Sequence, residues 1–208
     1  MTKKIVLAGG GAAAALLLLA GCTTPTPEPT ATTEPTTSPS ATVAPTVEPT
    51  SDAIVLPACE DMLDLAVVQT NFGANAQFLD VVADGDLTSL LPGPAAQTAL
   101  DAAVSREGCL WGIPNSDGAF FVIVADIPLS ARDTLVSALG SSDFSETVIG
   151  SAPAFVWERD DEMGTLTTVY VFADPIWVTV TGAGTTASQT AIAEDVVMDM
   201  RDLFPAIS

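Results

Sequence analysis

Between residues 144 and 181 the chain carries four strand-like runs and no helical pattern. The runs cover 144–149, 154–158, 165–172 and 176–181, and they favour β-branched and aromatic residues. Between them lie only Gly150-Ser151-Ala152-Pro153, the polar stretch 159–164 and Asp174-Pro175. Parallel neighbours need crossovers of about a dozen residues or more, usually helical, whereas spacers this short close hairpins. The second half of the chain is therefore expected to form an antiparallel meander.

Helical patterns flank it. Pro57 followed by acidic residues predicts a helix over 57–70. A second is expected over 95–106, with Ala96, Leu100, Ala103 and Val104 near one face and Gly108 beyond its end. A third spans 128–139, burying Leu129, Leu135, Val136 and Leu139, and stops at Gly140. The last covers 186–204, with Ala187, Ala191, Ile192, Val196, Met200 and Leu203 as its buried stripe. Residues 78–82 form a short apolar piece. Strands at 109–113 and 119–125 are joined by Asn115-Ser116-Asp117-Gly118, where Asp-Gly supplies the positive φ of a hairpin turn. The expected fold class is α+β: an antiparallel sheet packed with helices in two layers.

Charge narrows the partners. The chain has 26 acidic residues, six basic ones and no histidine, a net charge of −20. Nucleic-acid binding needs clustered positive charge to displace counterions, so nucleic acid is excluded. A strongly acidic surface keeps a protein soluble and predicts a monomer whose partners are neutral, cationic or bridged by metal.

The N-terminus has its own logic. Lys3 and Lys4 precede an apolar run over 5–20, which ends in Leu19-Ala20-Gly21-Cys22. A basic start, a short apolar core and small residues at the cleavage site make an export signal. Leu at the third position before Cys resembles the lipobox of bacterial lipoproteins. The resemblance implies cleavage after residue 21 and diacylation of Cys22, an anchor that holds without a spanning helix. Residues 22–50 then form a Thr/Pro-rich stalk with no aromatic residue, unable to bury a core. Its prolines favour polyproline II, a spacer of up to roughly 80 Å. It is either O-glycosylated or a bare linker. Residues 51–208 make the extracytoplasmic domain.

Cleavage would remove both lysines and leave four arginines against all 26 acidic residues. Of three cysteines, lipidation takes Cys22. The remaining pair, Cys59 and Cys109, is expected to form one disulfide in an oxidising compartment. Two widely spaced cysteines without histidine do not make a zinc site.

Catalytic chemistry has few options. Without histidine or a mature lysine, Ser-His-Asp and Cys-His catalysis, Schiff bases and His-ligated metals are excluded. Neither a Gly-x-Ser-x-Gly elbow nor a phosphate loop occurs. Carboxylate pairs remain, so no catalytic residues, metal ligands or cofactor are assigned. Asp80, Asp84 and Asp86, and the run Glu158, Asp160, Asp161 and Glu162, supply oxygens of the kind calcium takes. Neither matches the calcium-loop register, and solvated turns are the expected reading. Asp195, Asp199 and Asp202 share one face of the last helix, either a solvent face or a docking stripe for a basic partner. Trp157 and Trp177 lie among strand residues and are expected in the core; the alternative is an exposed stacked pair holding a sugar ring.

Pro57-Ala58-Cys59, Cys109-Leu110-Trp111 and the Gly150-Ser151-Ala152-Pro153 lead into a strand, behind a lipobox and Thr/Pro stalk, resemble actinobacterial cell-envelope lipoproteins of unknown function. The resemblance covers roughly residues 58–204. It too implies the Cys59–Cys109 disulfide and an α+β fold, and it carries no catalytic residues. The expected function is a non-catalytic binding or interaction module, tethered to the membrane through Cys22, for an envelope protein. The alternatives are a small-ligand or glycan-binding module and a calcium-dependent or carboxylate-only hydrolase.

Overall fold

The computed structural model describes residues 54–162 and 164–207. The expected export signal, Cys22 and the expected Thr/Pro stalk lie outside them. Seven strands form one antiparallel sheet in the order β1-β2-β3-β7-β6-β5-β4. They are β1 Gln77–Val81, β2 Ser105–Gly112, β3 Ala119–Asp126, β4 Ser145–Ile149, β5 Ala152–Asp161, β6 Gly164–Ala173 and β7 Ile176–Ala183. The meander β4–β7 follows from its short spacers, and β7 docks beside β3 through seven register pairs, from Phe120↔Gly182 to Asp126↔Ile176. The α+β class and antiparallel sheet hold.

The layering differs from expectation. Successive side chains of a strand face opposite ways. In β3, Val122 and Val124 enter one core, while Ile123 and Ala125 enter another. Helices cover both faces, giving three layers rather than two. On the first face lie α1 Leu65–Asn71, through Val68, and α5 Thr186–Leu203, through Ile192, Ala193, Val196 and Met200. On the second lie α2 Asp84–Leu87, α3 Pro94–Asp101 and α4 Leu129–Leu139. There Leu87, Leu100, Leu135 and Leu139 pack with Phe155, Tyr170, Phe172 and Trp177. Among the described residues no helix is long and apolar enough to cross a membrane.

Several boundaries move for identifiable reasons. The expected helix over 57–70 divides into a 3₁₀ turn, Cys59–Asp61, and α1. Asp64 separates them: its backbone is extended and its carboxylate accepts from the Ala66 N–H at 2.7 Å, a cap that starts a new helix. The helix expected to reach Arg106 stops at Asp101, because residues from Ser105 onward are taken up by the β2–β3 ladder. Arg106 instead reaches back from β2, donating to the Leu100 carbonyl and to Asp84. Gly108 lies within β2, where a Cβ would come within 2.0 Å of Leu87 Cδ2. The polar stretch after Arg159 is a tight hairpin, with Asp161 opposite Gly164. In the β2–β3 turn, Asn115 rather than Gly118 takes the positive φ. Leu129 is exposed at the start of α4.

Cys59 and Cys109 are joined, 50 residues apart in sequence. The bridge fastens the 3₁₀ turn to β2, and beside it Met62 and Leu63 are fully buried in the first core.

Candidate functional site

On the first face of the sheet, α5 lies across β6 and β7 and touches β4 and β5 only lightly. Its other flank meets α1. The β4–β5 end of the sheet is left as the floor of a groove of about 1110 Å³. Ser145 and Thr147 of β4 and Val156 and Glu158 of β5 line it, opposite Thr186, Thr190 and Glu194 on α5. The helical residues recur at spacings of four, which puts them on one side of α5. Asp143, Glu146 and Trp157 complete the lining. Glu146 pairs with Phe155 and so turns its side chain to the second face, which leaves three carboxylates, Asp143, Glu158 and Glu194, bordering the groove, and none of its lining residues is basic.

Glu158 is the best fixed of the three. Its carboxylate accepts from the Thr186 hydroxyl at 2.7 Å and from the Thr186 N–H at 2.8 Å. These bonds favour the charged form and hold its pKa below the usual carboxylate value. Because Thr186 opens α5, Glu158 also answers the positive end of that helix.

Trp157 is half-buried, with Phe144 stacked at 6.2 Å and the Arg159 guanidinium 5.6 Å from its ring. Phe144 in turn stacks on Tyr170 at 5.1 Å. Trp177 is only 1 % exposed and packs in the second core. The two tryptophans therefore do not form an exposed pair: Trp177 is core, and Trp157 borders the groove.

The acidic stripe of α5 sits elsewhere. Asp195 and Asp199 are half-buried and Asp202 is exposed. Asp195 accepts from the Asp64 N–H at 3.2 Å, tying α5 to the cap of α1. Burial raises the pKa of Asp195, the Asp64 N–H opposes the rise, and the Asp64 charge adds to it. Asp199 is pushed up to about 6, by burial first and then by the charges of Asp195, Asp64 and Asp202. The folded state therefore holds this proton more tightly than the unfolded chain. Stability from this group is lost as pH rises through about 6 and regained on acidification towards the ordinary carboxylate range. A shift of this size in a fully desolvated group would amount to about 3 kcal/mol, but contact with water screens it to about 1 kcal/mol. Asp199→Asn is expected to stabilise the fold by about 1 kcal/mol at pH 7.5, with the gain vanishing by about pH 4. Urea titrations of both forms across this range check it; a gain independent of pH would refute the charge explanation.

Of the acidic runs, Asp84 is engaged by the Arg106 guanidinium at 2.5 and 3.0 Å. Thr165 donates to Asp160 at 2.7 Å. Among the described residues no three carboxylate or thiol groups converge as a metal-ligand set. The groove draws its carboxylates from three separate segments, and of these the sequence singled out only Glu158. The fold and the groove define an α+β domain with an acidic, sheet-floored cleft. No protein-family model matches the chain, and it matches no curated protein and no solved structure.

Proposed function

We propose that this chain is a lipid-anchored, extracytoplasmic binding module that takes a basic polypeptide segment of an envelope partner in the groove beside α5. The lipobox motif Leu19-Ala20-Gly21-Cys22 supports the anchor. The groove supports the partner, and the observation that carries it is three bordering carboxylates without a lining cation. At about 1110 Å³ it exceeds the roughly 300–1,000 Å³ usual for small-molecule sites, which suits a polymer. The two carboxyls with raised pKa, Asp195 and Asp199, do not line it, which favours binding over acid catalysis there.

The test is titration of the full-length chain with nona-arginine in low salt. Binding is expected to weaken by about tenfold in the Asp143→Asn/Glu194→Gln variant, which removes two of the three charges. It should largely disappear at 1 M salt, where the screening length falls to about 3 Å. Affinity unchanged by the substitutions would reject the groove as the site. Salt-insensitive binding of a neutral glycan there would favour the sugar-binding alternative. Cys22→Ser should move the chain from the membrane to the soluble fraction; retention would reject the lipid anchor.

A further inference from the structure

Resting on the assignment of the groove to a basic partner, we propose that the partner enters as an extended strand and lengthens the sheet along the free edge of β5. β4 pairs with β5 only from Ala152 to Val156, whereas β5 continues to Asp161. The ladder stops for a local reason. Ser145 is the last residue of β4 opposite β5, facing Val156, and Phe144 has already left the sheet edge. The Phe144 N–H donates to Ser142 Oγ at 3.2 Å, and its ring turns across the sheet onto Tyr170 and Trp157. Beyond Val156, β5 is paired on its β6 side, from Trp157↔Thr168 onward. Among the described residues no strand pairs with its other side.

In an antiparallel strand alternate residues turn N–H and C=O to the same edge. The stretch from Trp157 to Asp160 therefore offers a short row of outward donors and acceptors, a template for an added strand. It adjoins the groove directly, since Trp157 and Glu158 belong to both. A strand laid there would continue the line of β4. Its side chains would alternate between the two faces of the sheet, so every second one would face Glu158 and the wall of α5 that carries Glu194.

Charge decides which strand fits. A second copy would bring a like acidic edge against this one. The chain's own segment 23–50 carries Glu28, Glu34 and Glu48, no lysine or arginine, and prolines that lack the N–H a ladder requires. Both are repelled by the groove. A basic, proline-poor segment of another protein satisfies the edge and the carboxylates together.

The probe is nona-arginine, which fits in any register, compared with the same peptide methylated at every backbone nitrogen. The two carry equal charge but only the first can form a ladder. Methylation is expected to weaken binding to the full-length chain by about ten- to a hundredfold, the loss of about two hydrogen bonds. Alternate amides between Trp157 and Asp160 should gain hydrogen-exchange protection with the unmethylated peptide. Equal affinity for both peptides, or protection confined to the outer edge of β4, would overturn strand entry while leaving the acidic groove as the site. Failure of both peptides to bind at low salt would reject the groove assignment, and the strand with it.

Discussion

Removal of the Cys59–Cys109 bridge is expected to destabilise the domain by about 4 kcal/mol, the loop entropy released when a 50-residue closure is opened. That is a large share of the roughly 5–15 kcal/mol by which native domains are stable. Both cysteines are buried, so the suitable variant is Cys59→Ala/Cys109→Ala, which leaves no thiol without a partner. The cost has a structural side as well. The 3₁₀ turn Cys59–Asp61 has little helical propensity to hold it, and it delivers Met62 and Leu63 to the first core. Without the bridge that segment is expected to open before the sheet does. Guanidinium titration with and without reductant measures the loss, and hydrogen exchange at β1 and β2 locates it. Equal midpoints for oxidised and reduced protein would show that the bridge constrains nothing the core does not already hold.

Much of this fold can be read from local signals. The meander is written in spacers too short for crossovers, and the observed strands contain all four expected runs apart from Phe144. The last helix begins at Thr186 as expected, where the Thr185 side chain caps it by accepting from Ser188. The errors fall where tertiary contacts outweigh propensity. Ser105 and Arg106 fall at the end of an expected helix, yet the hydrogen bonds of β3 claim them. The buried stripe of α5 keeps Ile192, Val196 and Met200 as expected but widens to take in Gln189, Ala193 and Val197, while Leu203 is half exposed. The Gln189 amide nitrogen donates to the Ala183 carbonyl, while its Oε1 is buried without a hydrogen-bond partner among the described residues. The third layer was legible in principle. Residues 119–125 are apolar without alternation, the signature of a strand covered on both faces.

The candidate site was less legible, and for a physical reason. A groove is made by what fails to cover the sheet, and that depends on where α5 settles relative to β4 and β5. Asp143, Glu158 and Glu194 have no common spacing, so no periodicity connects them. Asp195, Asp199 and Asp202 were conspicuous because helical spacing does connect them, yet Asp195 uses one oxygen to hold α1 in place. Trp157 follows the strand pattern of its neighbours, and nothing local separates it from Trp177. The free edge of β5 was equally hidden, because it exists only through the unequal lengths of β4 and β5.

The second large effect is expected at Gly182. It lies near the end of β7, between Phe120 of β3 and Thr167 of β6, with φ at +141°. Residues with a Cβ rarely adopt that conformation, which costs about 1–3 kcal/mol when forced. A Cβ there would also stand 2.6 Å from Phe120 Cα and 2.7 Å from the Ala119 carbonyl oxygen. Both obstacles are backbone, so no rotamer change relieves them; β3 and β7 must move apart. That separation would strain the pairing that joins the β2–β3 hairpin to the meander. With about 1–3 kcal/mol more for overpacking, Gly182→Ala is expected to cost about 4 kcal/mol. Gly85 provides the contrast. It lies in α2 without positive φ, and a Cβ there meets nothing within 4 Å. Gly85→Ala should be neutral or stabilising by up to about 1 kcal/mol, through lower entropy of the unfolded chain. Denaturant midpoints of the two variants give the comparison directly. Comparable stability for both would mean that the β3–β7 junction yields readily, and that the close approach at Gly182 does not set the spacing of the sheet.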